Sequence, residues 1–396
     1  MSILIALWVI GSSVIFLYYR NTIVMSWHEP ALRRPILIIE SDDWGPGPSV
    51  QSNLLVAINS LLTKYPDSSG RLPVMTLGAV LSTADGEKIR SSGEYHHQPV
   101  AASWHEPLLD AVKDGVEAGV FTVQLHGMEH YWPPALMAAS HTDRSVKAWL
   151  EQAPQSVTEE LPSQLQSRWV DASVLPARAL SVADIRHAVQ EEVSTFQAIF
   201  GYPPRVVVPP TFLWNAVVEQ AWADAGVEVI VTPGSRYETR GEDGALVIGG
   251  SAIHNGQSGA GGMIYLVRND YFEPALGHTA EQAIAALAAK TRLGRPTLLE
   301  THRFNFLGPD SGQKNTLAEL EKLLQRALDM YPDLAFISTE NLARVLSTRD
   351  PDWVESRLSR RIHVWLARLR ESSRLRKLAW LTGWIVPGWL VWKLTE

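Results

Sequence analysis

Short apolar runs alternate with longer amphipathic stretches over most of this chain. Runs rich in branched aliphatic residues, too short for buried helices, predict strands at 36–41, 72–77, 120–125, 206–209, 227–232, 263–267, 297–301 and 334–338. Between them, apolar residues recurring every three or four positions predict helices at 50–63, 107–118, 182–200, 215–225, 280–292 and 316–330. Strands apolar on both faces that alternate with helices build parallel sheets. The pattern therefore predicts an α/β fold, a distorted (β/α) barrel over residues 35–346. Residues 141–181 show no clear period and predict a long insertion, placed as a lid or substrate loop.

The two ends break the pattern. Ile3 to Tyr19 is an uncharged apolar run at about the minimum length of a membrane span, which predicts an anchor helix over residues 1–20. Residues 351–396 carry nine Lys/Arg against four Asp/Glu and six of the chain's 15 tryptophans. Leu358, Ile362, Trp365, Leu366 and Leu369 follow helical spacing with arginines between them, ahead of an apolar stretch rich in Trp. That predicts a basic amphipathic segment that binds membrane lipids. Arg20, Arg33 and Arg34 follow the first run, and positive residues gather on the cytoplasmic side of membranes. The expectation is a membrane-anchored protein with its body on the cytoplasmic face.

Two predicted strands deliver polar residues at their carboxyl ends, where α/β barrels build their sites. Val123-Gln124-Leu125 runs into His126-Gly127-Met128-Glu129-His130, and Ile36-Leu37-Ile38-Ile39 runs into Glu40-Ser41-Asp42-Asp43-Trp44-Gly45. Four residues is about one helical turn, so the two imidazoles can face the same way. A His pair alone is a weak signal, and Asp-Asp before Trp-Gly also reads as a turn or a cap. Together, two imidazoles and a carboxylate suit a divalent metal with open positions, Zn2+ first among them.

These residues, in this order, resemble the polysaccharide deacetylase superfamily, the NodB type or carbohydrate esterase family 4. Asp42-Asp43-Trp44-Gly45 stands in the place of that family's Asp-Asp-Gly, and His126-Gly127-Met128-Glu129-His130 in the place of its His-Ser/Thr-x-x-His. Leu298-Leu299-Glu300-Thr301-His302 matches its late strand ending in His. The resemblance spans roughly residues 35–346. It implies a barrel of the glycoside hydrolase and deacetylase type with Asp43, His126 and His130 on the metal. It also implies Asp42 as general base, His302 as general acid and an N-acylated saccharide as substrate. Trp44, Arg303 and Asn305 are candidate substrate contacts.

Two positions depart from that family. Val208 stands where its Arg holds the catalytic Asp, with Arg205 and Arg236 as candidate substitutes. The Asp-Trp that tunes its catalytic His has no counterpart around residues 229–234. Glu300 lies two residues before His302 on the same face of a strand and is a rival proton carrier.

Composition narrows the choice. A net charge of −7 over 396 residues gives no nucleic-acid footprint, and the absence of cysteine excludes disulfides and thiolate metal sites. Three readings stay open. The first is a hydrolase removing an acetyl or formyl group from an amino sugar of a polysaccharide or lipid-linked saccharide. The second is a catalytically inactive carbohydrate-binding or scaffold barrel in envelope polysaccharide assembly. The third is a non-haem iron protein, since two His and one carboxylate also suit Fe(II).

Overall fold

The computed structural model describes residues 2–101, 106–153, 157–308 and 310–395. Its main sheet holds β1 Ile36–Trp44, β2 Met75–Ala79, β3 Phe121–Leu125, β4 Val206–Val207, β5 Val229–Thr232, β6 Ile264–Val267, β7 Asp270–Tyr271, β8 Thr297–His302 and β9 Ala335–Phe336. Neighbours pair in parallel in the order β6-β5-β4-β3-β2-β1-β8-β7, and β9 pairs with the start of β1. The two ends of that order, β6 and β7, are adjacent in sequence. Arg268 N donates to Thr232 O of β5 at 2.9 Å, and Asn269 N donates to Leu298 O of β8 at 3.2 Å. One stretch of chain thus pairs with one edge of the sheet and then the other, and the curled sheet closes as a (β/α) barrel.

Alternation along the strands divides the lumen into two layers. Ile36 and Ile38 pack with Val206, Val208, Val231, Leu266 and Leu298, closed below by Leu342 and Leu346 from the helix Thr339–Thr348. Further along the same faces stand Glu40, Asp42, Arg268, Glu300 and His302, so the layer at the carboxyl ends is charged. The outward positions Leu37, Ile39, Met75 and Leu299 pack under the helices Gln51–Leu62, Glu106–Glu117 and Ala280–Arg292. Leu125, Val207 and Ile230 pack under Val182–Phe200 and Ala216–Asp224, with Trp169, Trp214 and Trp222.

The helix expected at 316–330 starts earlier and runs Asp310–Met330, because its first turn is polar and adds nothing to an apolar stripe. The strand expected at 334–338 shortens to Ala335–Phe336, and Ser338 caps the following helix by accepting from Asn341 N at 3.2 Å. The expected insertion holds a helix, Arg144–Gln152, and a short ribbon pairing Val170 with Ala179.

The N-terminal helix runs Ser2–His28, beyond the expected residues 1–20. Among the described residues, no helix is long and apolar enough to cross a membrane. The expected C-terminal amphipathic segment forms three helices, Leu358–Glu371, Ser373–Leu381 and Ile385–Thr395.

Candidate active site

The carboxyl end of β1 carries two adjacent carboxylates with different partners. Asp42 continues the strand and faces the lumen, where Arg268 clasps it with both terminal nitrogens, Nη2 lying 2.8 Å from Oδ1. Asp43 takes a left-handed backbone, φ 71°, which turns its side chain away from the strand's alternation. It meets His126 and His130 instead: Oδ1 lies 3.3 Å from His126 Nε2 and 3.5 Å from His130 Nε2.

The two histidines do not share a helix. Residues 126–132 form an irregular loop after β3, and Gly127 at φ 94° makes the bend that points both rings at Asp43. The loop is pinned from several sides. Ser82 N donates to Met128 O at 2.8 Å, and Met128 N donates to Glu192 at 3.3 Å. Glu129, between the ligand candidates, points away from them. It pairs with buried Arg168 and accepts from Ser82 Oγ at 3.0 Å and Tyr95 OH at 3.1 Å. His97 Nδ1 also lies 3.5 Å from Glu129 Oε1.

The Asp43, His126 and His130 donor atoms all lie within 4.8 Å of one another and are buried. His126 Nδ1 donates to the Val208 carbonyl at 2.8 Å, which leaves the Nε2 lone pair facing Asp43 and His130 Nε2, the latter 3.2 Å away. Asp43 Oδ1 and His130 Nδ1 are buried without a hydrogen-bond partner. A buried carboxylate oxygen left unbonded between two imidazole nitrogens is what a divalent cation would satisfy, so the donor set fits a metal. Val208, expected only as a gap in a motif, contributes its backbone carbonyl.

Both residues expected to be missing are supplied from the closing segment. The arginine on Asp42 is Arg268, which also pairs with Glu40 and lies 3.9 Å from Glu300. Arg205 and Arg236 do not reach the site: Arg205 pairs with Glu228 and Glu340 at the surface, and Arg236 with Glu219 and Glu238. The carboxylate on His302 is Glu273, whose Oε1 lies 2.6 Å from Nδ1. Both follow the apolar run of β6, as Arg268-Asn269-Asp270-Tyr271-Phe272-Glu273, so strand-end polarity was the signal available.

Electrostatics follow from these partners. Burial alone would raise the Asp42 pKa, but the charges of Arg268 and His126 hold it below the ordinary carboxylate value. Burial opposes a proton on His302, yet the Glu273 hydrogen bond and the charges of Asp43 and Asp42 push its pKa up to about 10. Burial lifts Glu300 to about 7 against the pull of Arg268 and His302.

Trp44, Arg303 and Asn305 are all buried. Trp44 Nε1 donates to Ser41 Oγ at 2.9 Å, and Asn305 bonds Glu273. Arg303 ties the Pro46 carbonyl and Gln51 to Glu159 of the insertion, 3.1 Å away, which brings that insertion over the barrel's carboxyl end. All three brace the walls of the site.

A family model described as glycosyl hydrolase family 57 matches residues 47–290, more than half of the chain. The chain belongs to glycosyl hydrolase family 57. This corrects the resemblance drawn from the motifs: the barrel and the Asp-His-His set are present, but this family is not the NodB type. Membership in glycosyl hydrolase family 57 supports a carbohydrate-active enzyme. The matched region contains His126, His130, Arg268 and Glu273, and it excludes Asp42, Asp43 and His302. No curated protein matches the chain. Among solved structures, the 4-alpha-glucanotransferase from Thermococcus litoralis is 9% identical with TM-score 0.40, covering 79% of this chain and 40% of its own. The chain thus spans less than half the length of that protein. The alpha-amylase from Thermotoga maritima is 10% identical, TM-score 0.42, covering 78% and 74%. The family 4 acetyl xylan esterase from Clostridium thermocellum, in complex with a cobalt ion, is 12% identical, TM-score 0.37, covering 78% and 91%.

Proposed function

We propose that this protein hydrolyses the N-acyl group, acetyl or formyl, of an amino sugar in a saccharide chain, with Zn2+ held by Asp43, His126 and His130. The observation that carries this reading is the division of labour at the end of β1. Asp43 joins the imidazoles, while Asp42 is held apart from them by Arg268. A divalent ion there would polarise an amide oxygen and lower the pKa of a water.

The chain's own groups do the rest. Asp42, oriented by Arg268 on both oxygens, takes the proton from the attacking water. The water oxygen bonds to the acyl carbon, and the bond from that carbon to nitrogen breaks. His302, half-buried and charged through its bond to Glu273, gives its Nε2 proton to the departing amine. The inactive-scaffold reading rested on Val208, and Arg268 now supplies the guanidinium that Val208 lacks.

A second reading is favoured by the family and by Glu300. Glycoside hydrolysis uses a carboxylic acid protonated near neutral pH, and Glu300, at about 7, meets that need. The two readings differ in product. Purified protein loaded with Zn2+ is given an N-acetylated oligosaccharide, and free amine, acetate and new reducing ends are assayed. Amine and acetate without reducing ends support the N-acyl hydrolase. Asp42→Asn then keeps its metal and loses activity about 10²–10⁴-fold, the range for a general base. Reducing ends that vanish in Glu300→Gln would replace the first reading with the second.

A further inference from the structure

The helix Ser2–His28 and the three C-terminal helices form one unit. Trp8 stacks on Trp384 with centroids 5.5 Å apart, and Trp384 Nε1 donates to Ser12 Oγ at 3.1 Å. Further along, Trp27 meets Trp365 edge-on at 5.8 Å, and Trp365 Nε1 donates to Ile23 O at 3.0 Å. Buried Arg368 fastens the unit to the barrel, donating to the carbonyls of Glu29, Pro30, Leu293 and Gly294. Those carbonyls lie just ahead of β1 and β8. The unit therefore sits at the amino ends of the strands, and the active site lies at the other end.

Away from that attachment the unit is apolar and open. Trp380 is 69% exposed, Leu381 83% and Leu394 85%, and Ile10, Phe16 and Leu17 of the first helix are also exposed. Soluble domains seldom present so much contiguous apolar surface without a partner. Residues 2–28 and 373–395 hold five Lys/Arg and no Asp/Glu, in a chain whose net charge is −7. Exposed Trp and Leu among cations, with the neighbouring acids Glu29 and Glu371 both paired to Arg295, match the headgroup region of an anionic bilayer.

We infer that the two termini together form a docking surface for an anionic lipid bilayer, seated in its interface. The helix Ile385–Thr395 has 11 residues. That is about 16 Å of helix, half the hydrocarbon thickness. Docked this way, the barrel stands with its site directed away from the lipid by the length of β1, on the order of 20–30 Å. The substrate is then a saccharide that reaches well beyond the headgroups, rather than a sugar next to its lipid anchor. That last clause rests on the N-acyl hydrolase reading, and the docking itself does not.

Flotation of the full-length protein tests the docking without any substrate. Vesicles of phosphatidylcholine alone are compared with vesicles that also contain phosphatidylglycerol. The wild type floats with the anionic vesicles. Leu381→Glu with Leu394→Glu, both on exposed positions, lowers the bound fraction at least about tenfold with an unchanged melting curve. Arg374→Glu with Arg376→Glu weakens the preference for phosphatidylglycerol and its sensitivity to salt. A wild type that stays unbound with both vesicles overturns the proposal. So does a lipid-free dimer, seen by sedimentation velocity, that Leu381→Glu splits while flotation is absent, because the patch then covers a second copy.

Discussion

The two layers of the barrel lumen are built from the same strands and hold opposite chemistry. Toward the amino ends, Ile36, Ile38, Val231, Leu266 and Leu298 pack together in one apolar cluster. Two and four positions further along the same faces, Glu40, Asp42, Arg268, Glu300 and His302 form a connected set of charges. The floor holds together by area and tolerates any well-shaped apolar filling. The upper layer depends on every member, because removing one charge leaves its partner buried and unpaired. Even the glycines differ in consequence. A Cβ on Gly78 would lie 2.3 Å from Asp42 Oδ1, so β2 must carry glycine opposite the proposed base.

The sharpest way to break this contrast is Arg268→Met. It strands Glu40 and Asp42 together, and the expected loss is about 3–5 kcal/mol in urea unfolding at pH 7. Adding Glu40→Gln and Asp42→Asn to the same chain should recover much of it. Unfolding of the single variant within about 1 kcal/mol of wild type would mean the upper-layer charges are not coupled.

Next comes Leu298→Ala in the floor, expected to cost about 2–5 kcal/mol through the cavity it leaves. Metal stoichiometry, read by elemental analysis after Zn2+ loading, should be unchanged. Asp43→Asn should do the reverse, keeping most of the stability and losing the ion.

The smallest effect is one of pH. The folded state raises the His302 pKa from 6.5 to about 10, so its bond to Glu273 stabilises fully below pH 6.5 and is lost as pH rises through 10. Glu273→Gln should therefore be less stable than wild type at pH 7, with the gap closing above pH 10. In kcat/KM, the alkaline limb of the wild type should fall near 10 and that of Glu273→Gln should move down toward 6.5. Coincident limbs would remove His302 as the acid.

Much of the site was legible because its signals are local. Asp42, Asp43, His126 and His302 each stand at or just past the carboxyl end of an apolar strand, and strand ends are where a barrel collects polar groups. Arg268 and Glu273 follow β6 in the same way, but their partners Asp42 and His302 lie 226 and 29 residues away. Nothing in residue spacing links them until the sheet curls and the segment after β6 becomes its closing seam. Val208 adds something a motif does not record: its contribution here is a carbonyl aimed at His126 Nδ1. Trp44, Arg303 and Asn305 are buried and bonded within the walls of the site, an orientation that for Arg303 and Asn305 depends on partners distant in the chain.

By itself, then, the sequence determined what depends on neighbours along the chain. It set the period-two and period-3.6 runs that became strands and helices, the apolar ends, and the donor types for a metal. Tertiary structure alone decided which charges share the upper layer, because buried ion pairs form between strands whose order comes from how the sheet closes. It alone joined residues 2–28 to 358–395 as well, since Trp8 finds Trp384 only when both chain ends pack against the same floor of the barrel.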